Sequence, residues 1–164
     1  MKMPDVFETS DVVNLVGISP IYLNRFIERG LYGIAPSQRR EVGRGGRRWF
    51  NSEDVFGIGL VWWLFESGLR SEVIKRILRE FAGQNQDNAN RAAKALRENG
   101  SDFLVIRRLP RGGREKQARR TRQAVDMLDK HELLDLLEKG EAQVTHAIPV
   151  GRLFRNLELM IQES

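Results

Sequence analysis

Apolar and polar positions follow a helical spacing through SDVVNLVGISPIYLNRFIERGL, residues 10–31. Val12, Val13, Leu15 and Val16 group as the inward face of a short helix that Ser10 caps and Gly17 ends. Ile18 fills the corner. Ser19 then caps a second helix with Pro20 at its first position, where the missing N–H costs nothing, and that helix runs to Gly30. On it Leu23, Phe26 and Ile27 are spaced to pack inward, which turns Tyr22, Asn24, Arg25 and Glu28 outward. A helix-turn-helix divides its faces in this way, and so does an ordinary helical hairpin in a small core.

The period breaks from Tyr32 to Arg48, YGIAPSQRREVGRGGRR, where Gly and Pro mark turns. Ile34 before those turns and Trp49 after them can flank a two-stranded hairpin, a wing whose tip carries Gly43, Gly45 and Gly46. Asn51-Ser52-Glu53-Asp54 then reads as a helix start, with a capping side chain followed by acids in the first turn. The helix it opens, residues 53–67, is apolar on most faces, so it is buried on more than one side or meets another chain. Gly68-Leu69 ends it, and Ser71 caps a further helix over 72–81 with Val73, Ile74, Ile77 and Leu78 on one stripe.

Beyond that helix the pattern weakens. Residues 83–90, GQNQDNAN, are too polar for a helical seam and read as a linker, followed by a short helix over 91–98. Residues 102–109 carry the continuous apolar run of a strand, 110–122 form a basic loop, and 123–128 are the return strand. A helix over 130–139, a strand over 143–148 and a last helix from Gly151 onward complete the chain. The expected fold is mainly α: a winged helix-turn-helix domain over 1–82, a polar linker with a short helix over 83–101, and a small α+β module over 102–164. In the last helix Leu153, Phe154, Leu157, Met160 and Ile161 make a stripe that is either intramolecular core or a dimer contact.

Composition narrows the chemistry. The chain of 164 residues holds 27 Lys and Arg against 22 Asp and Glu, a formal charge of +5, and the excess is clustered. Arg39, Arg40, Arg44, Arg47 and Arg48 crowd the wing, where a solvated basic loop is the plainer alternative. The wing glycines are not followed by the Lys-Ser/Thr pair of a phosphate-binding loop. With no cysteine there is no disulfide framework, thiolate metal site or thiol switch. His131 and His146 have no metal or triad spacing, and no Ser or Thr has a recognisable base beside it, so neither a cofactor nor an enzymatic activity is expected. Asp126, Asp129, Glu132 and Asp135 make an acidic face that is solvated or paired with the basic loop. Residues 1–6 lack the layout of a signal peptide and no apolar run is long enough to span a bilayer, so a cytoplasmic protein is expected.

Several of these stretches together resemble one family. Gly17-Ile18-Ser19-Pro20 at the turn, then Leu23, Phe26, Glu28 and Gly30-Leu31, are followed by Gly46-Arg47-Arg48-Trp49-Phe50, Asn51-Ser52-Glu53-Asp54 and Gly68-Leu69-Arg70-Ser71. The first half of the chain thereby resembles the DNA-binding domain of the MerR family of bacterial transcription regulators. Asn24 stands where that family usually has Arg, Arg25 where it has Tyr, and Arg47 where its wing has an aromatic. The resemblance implies a homodimer on a pseudo-palindromic site in double-stranded DNA, with a contact to RNA polymerase by analogy. Arg25 and Asn24 lie near the start of the second helix, where Arg can pair with guanine and Asn with adenine. Ser19 and Tyr22 join them, Tyr22 reaching a phosphate or a thymine methyl. Arg39, Arg40, Arg44, Arg47 and Arg48 are expected on phosphates, setting register rather than reading bases. Since no coiled coil is evident, the dimer surface is expected from Trp62 and Trp63 or from Leu153, Phe154, Leu157, Met160 and Ile161. The competing reading is an adaptor, antitoxin-like or phage regulatory, whose C-terminal half binds a protein.

Overall fold

A computed structural model describes residues 6–36, 38–39, 47–83, 87–100, 102–108, 123–140 and 143–163. The chain divides into two units, residues 1–99 with 153–164, and residues 100–152. Among the described residues the fold is mainly helical, with two small antiparallel sheets.

The first unit opens with β1 (Phe7–Glu8), α1 (Thr9–Val16) and α2 (Pro20–Glu28). The cap of α1 differs from expectation: Glu8, not Ser10, holds the N-cap position, and its amide donates to the Asp11 carboxylate at 2.8 Å. A carboxylate three residues into the helix reaches back where the Ser10 hydroxyl, already one residue inside, cannot. Gly17 closes α1 at φ 72°, a left-handed conformation that a side chain resists. Ile18 fills the corner at 1% exposure, and Leu23, Phe26 and Ile27 are buried as their spacing predicts.

After a short 3₁₀ turn over Leu31–Gly33 come β2 (Gln38–Arg39) and β3 (Arg48–Phe50). β3 is central, antiparallel to β1 on one side and β2 on the other, with Phe7 opposite Phe50 and Arg39 opposite Arg48. The hairpin tip with Gly43, Gly45 and Gly46 lies outside the described residues. In the 3₁₀ turn, Tyr32 is buried at φ 63°, with its hydroxyl 2.9 Å from Ser71 Oγ and its ring edge-on to Phe26. Such a backbone conformation is costly for a side chain larger than Gly and is held here by packing on every side.

α3 (Ser52–Glu66) starts with a reciprocal cap: Asn51 Oδ1 accepts from the Asp54 amide at 2.8 Å, and Asp54 Oδ2 from the Asn51 amide at 2.9 Å. Val55, Phe56, Ile58, Leu60, Val61 and Leu64 are all buried, so this helix is the centre of the first unit. α4 (Ser71–Ala82) has Arg70 rather than Ser71 at its N-cap, because the Ser71 side chain is turned to Tyr32.

Two departures from the expected plan follow. The polar stretch read as a linker leads into α5 (Ala89–Asn99), which packs on both α3 and α4 and buries Ala89, Ala92, Ala93 and Leu96. Asn88 acts as a helix-start group, its Oδ1 accepting from the Arg91 amide at 3.0 Å, and Asn90 Nδ2 donates to the buried Asp54 carboxylate of α3 at 2.7 Å. Gly57 of α3 allows that approach, since a Cβ there would lie 2.9 Å from the Asn90 amide nitrogen.

In the second unit β4 (Phe103–Arg108) is the central strand, paired antiparallel with β5 (Gln123–Leu128) and with β6 (Gln143–Ile148). Central placement explains why Leu104, Val105 and Ile106 form an uninterrupted buried run. α6 (Lys130–Lys139) packs over β4 and β5. The amide of Gly151 donates to the Asp102 carbonyl at 3.1 Å, so the two ends of this unit meet.

The second departure is α7 (Val150–Glu163), expected with the C-terminal module. From Leu153 onward it belongs to the first unit, where the Phe154 ring meets Phe56 at 6.1 Å and Trp63 at 5.5 Å. Gly59 of α3 gives Leu157 room to come this close. Between these helices Arg97 of α5 lies 3.6 Å above the Phe56 ring and forms ion pairs with Glu53 at 3.3 Å and Glu158 at 3.2 Å.

Candidate nucleic-acid interface

The candidate surface is built from α2 and β3. Ser19 stops the preceding turn and accepts from the Tyr22 amide at 3.4 Å, so its hydroxyl serves first as the cap of α2. Downstream the helix keeps two faces. Leu23, Phe26 and Ile27 are buried, while Ile21, Arg25, Glu28 and Arg29 are exposed and Asn24 is half-buried.

Tyr22 is placed differently from the expectation that it reaches outward. Its ring lies 5.4 Å from both Trp62 and Phe65, and Trp62 stacks on Phe65 at 5.7 Å. The end of α3 carries two large rings, and together with Tyr22 they form a half-buried aromatic cluster beside the inward face of α2. Arg25 stays exposed and sets its guanidinium 5.6 Å from the Tyr22 ring, an aromatic support that leaves its donors outward.

Asn24 and Arg48 were expected to act separately, one on a base and the other on a phosphate. The structure joins them. Arg48 Nη1 donates to Asn24 Oδ1 at 2.6 Å, and Nη2 lies 3.6 Å from the Glu28 carboxylate. One arginine on β3 thus ties two positions of α2, Asn24 and Glu28, which are four residues apart and share a face. That spacing is the signal in the sequence that could have singled out Glu28. Arg47, the next residue back, is 75% exposed and pairs at 3.6 Å with Glu8 of β1. Arg39 sits opposite Arg48 in the strand register, and Arg40 and Arg44 lie outside the described residues.

Most of the residues expected at a dimer contact are engaged inside the chain. Trp62 and Trp63 are half-buried against Tyr22, Phe65 and Phe154. Phe154, Leu157 and Ile161 are buried at 4%, 1% and 0%, which removes them as a surface for a second chain. Leu153 is half-buried and Met160 exposed.

The second unit holds an open groove of about 310 Å³ between α6 and the sheet, with Arg107, Asp126, Glu132, Asp135 and Lys139 on its walls. The expected acidic face is largely consumed locally. Arg107 Nε donates to Asp126 at 2.6 Å, and Asp129 and Glu132 cap α6 reciprocally. The basic loop expected to meet that face lies outside the described residues. His131 is exposed on α6, while His146 Nδ1 lies 3.2 Å from Thr145 Oγ1 on β6. Among the described residues no group of three or more His, Asp and Glu side chains is arranged to hold a metal ion, and no helix is long and apolar enough to cross a membrane.

No family model matches the chain, and no curated protein matches it.

Proposed function

We propose that the first unit is a winged helix-turn-helix that binds double-stranded DNA, with α2 entering the major groove and the β2–β3 hairpin lying along the backbone. The observation that carries this reading is the Arg48 bridge. It holds a helix with an exposed arginine at a fixed angle to a strand preceded by the exposed Arg47, so that one surface can meet a groove and its flanking phosphates together.

In this reading Arg25 is the base-reading residue, backed by the Tyr22 ring, and Arg47 contacts phosphate. Asn24 and Arg48 set the angle between helix and hairpin. The resemblance to MerR regulators, carried by the turn and wing residues, agrees with this arrangement and implies a dimer on a two-fold site. The protein is then a transcription regulator whose second unit serves assembly or response.

Selection from random duplex DNA, followed by salt titration of the best site, tests the proposal. Wild-type protein enriches a palindromic sequence, and Arg25→Ala relaxes preference at one position per half-site. Arg47→Ala weakens every sequence alike and shallows the salt slope by about one. If no sequence is enriched and the residual binding vanishes at moderate salt, the proposal fails.

A further inference from the structure

α6 has a wider apolar arc than its sheet covers. Leu133 is buried and Leu136 half-buried, but Leu134 and Leu137 remain 45% and 53% exposed. At 100° per residue Leu134 stands at the centre of an outward face, flanked by Lys130 and Glu138 one turn to either side and by His131 and Leu137. All of these neighbours are exposed. Lys130 and Glu138 stand two turns apart, about 12 Å along the helix, at the two ends of this face.

The charges flanking Leu134 are its most informative feature. One end of the face is positive, the other negative, and the leucine lies midway. A face of this kind is complementary to itself when turned end for end, and to no uniformly charged surface. We infer that α6 pairs antiparallel with α6 of a second copy of this chain. Leu134 packs on Leu134 of the second copy across the two-fold axis, Leu137 on its His131, and Lys130 meets its Glu138 in two symmetry-related ion pairs. A parallel pairing would set like charges together.

The contact is small. Ten residues of helix span roughly 15 Å, and such a face buries well under the roughly 1,200 Å² of a standard stable interface. Self-association is therefore on the order of micromolar or weaker. Since a two-fold contact is what the proposed operator calls for, the inference rests on that reading for its biological role. Self-association is measured without DNA, so the two fail separately.

Sedimentation of the full chain from micromolar to millimolar concentration tests it. Wild type is expected to show a reversible monomer–dimer equilibrium that Leu134→Asp abolishes. Lys130→Glu and Glu138→Lys each replace two attractions by two repulsions and weaken the dimer about tenfold. Mixing those two variants in equal amounts restores wild-type association, because every new charge then faces an opposite one across the contact; the loss in each variant alone marks the antiparallel sense, since a parallel pair already sets like charges together in wild type. Both charge substitutions are on exposed positions, so circular dichroism is expected to show an unchanged fold, and they carry the test even where Leu134→Asp misfolds. A wild-type chain monomeric throughout overturns the inference. So does a dimer indifferent to all three substitutions, or a mixture that stays dissociated.

Discussion

At the scale of single residues, polar side chains fix the geometry of the candidate surface. Arg48 is only a quarter exposed, and its bond to Asn24 is charge-assisted, so the pair contributes more than an exposed ion pair does. In a thermal-unfolding double-mutant cycle, Arg48→Ala and Asn24→Ala are expected to show a coupling of about 1 kcal/mol. Additive effects would mean that the bond contributes nothing in solution. Helical period indicated that Asn24 and Glu28 share a face, but no pattern in the sequence names a partner 20 or more residues away. Tyr22 makes the same point from the other direction. Its position on the helix wheel is outward, and only the rings of Trp62 and Phe65 half-cover it.

At the scale of elements, α3 sets the plan. Its near-continuous burial was legible, since an apolar residue on most faces leaves no side for water. What covers it was not. α5 and α7 settle on it where Gly57 and Gly59 leave room, and Arg97 joins all three helices. Phe154→Ala is therefore expected to cost about 3 kcal/mol of unfolding free energy, the usual loss for truncating a buried aromatic ring. Chemical denaturation followed by Trp fluorescence measures it, because Trp63 lies against Phe154. Were these residues instead an interface between chains, the loss would depend on protein concentration.

At the scale of the whole molecule, the first unit is closed by a segment that arrives last. Residues 100–152 are inserted between α5 and the body of α7, and the Gly151–Asp102 hydrogen bond brings the two ends of the insertion together. Replacing residues 103–150 by a short Gly-Ser linker is expected to leave a folded first unit with cooperative unfolding. Truncation after residue 152 keeps the second unit but strips Phe154, Leu157 and Ile161 from the core of the first, and it is expected to abolish the cooperative unfolding of the first unit. Circular dichroism of the truncated chain distinguishes this topology from a chain of consecutive domains, in which the first unit would stay folded without residues 153–164.

The sequence by itself determined most of the helices, the three strands of the second unit, and which face of each helix is apolar. Periodicity and capping are local properties, encoded within a few residues. It determined that residues 153–161 carry an apolar stripe that must be covered by this chain or another, and that 102–109 carry the continuous apolar run of a strand. Only the tertiary structure decided that this stripe lies on α3, that the polar stretch before α5 caps a packed helix, and that Arg48 bonds Asn24. An apolar stripe records how much surface must leave water and leaves open which surface receives it, because burial is non-directional. Likewise a polar side chain records its donors and acceptors, and folding alone selects the partner.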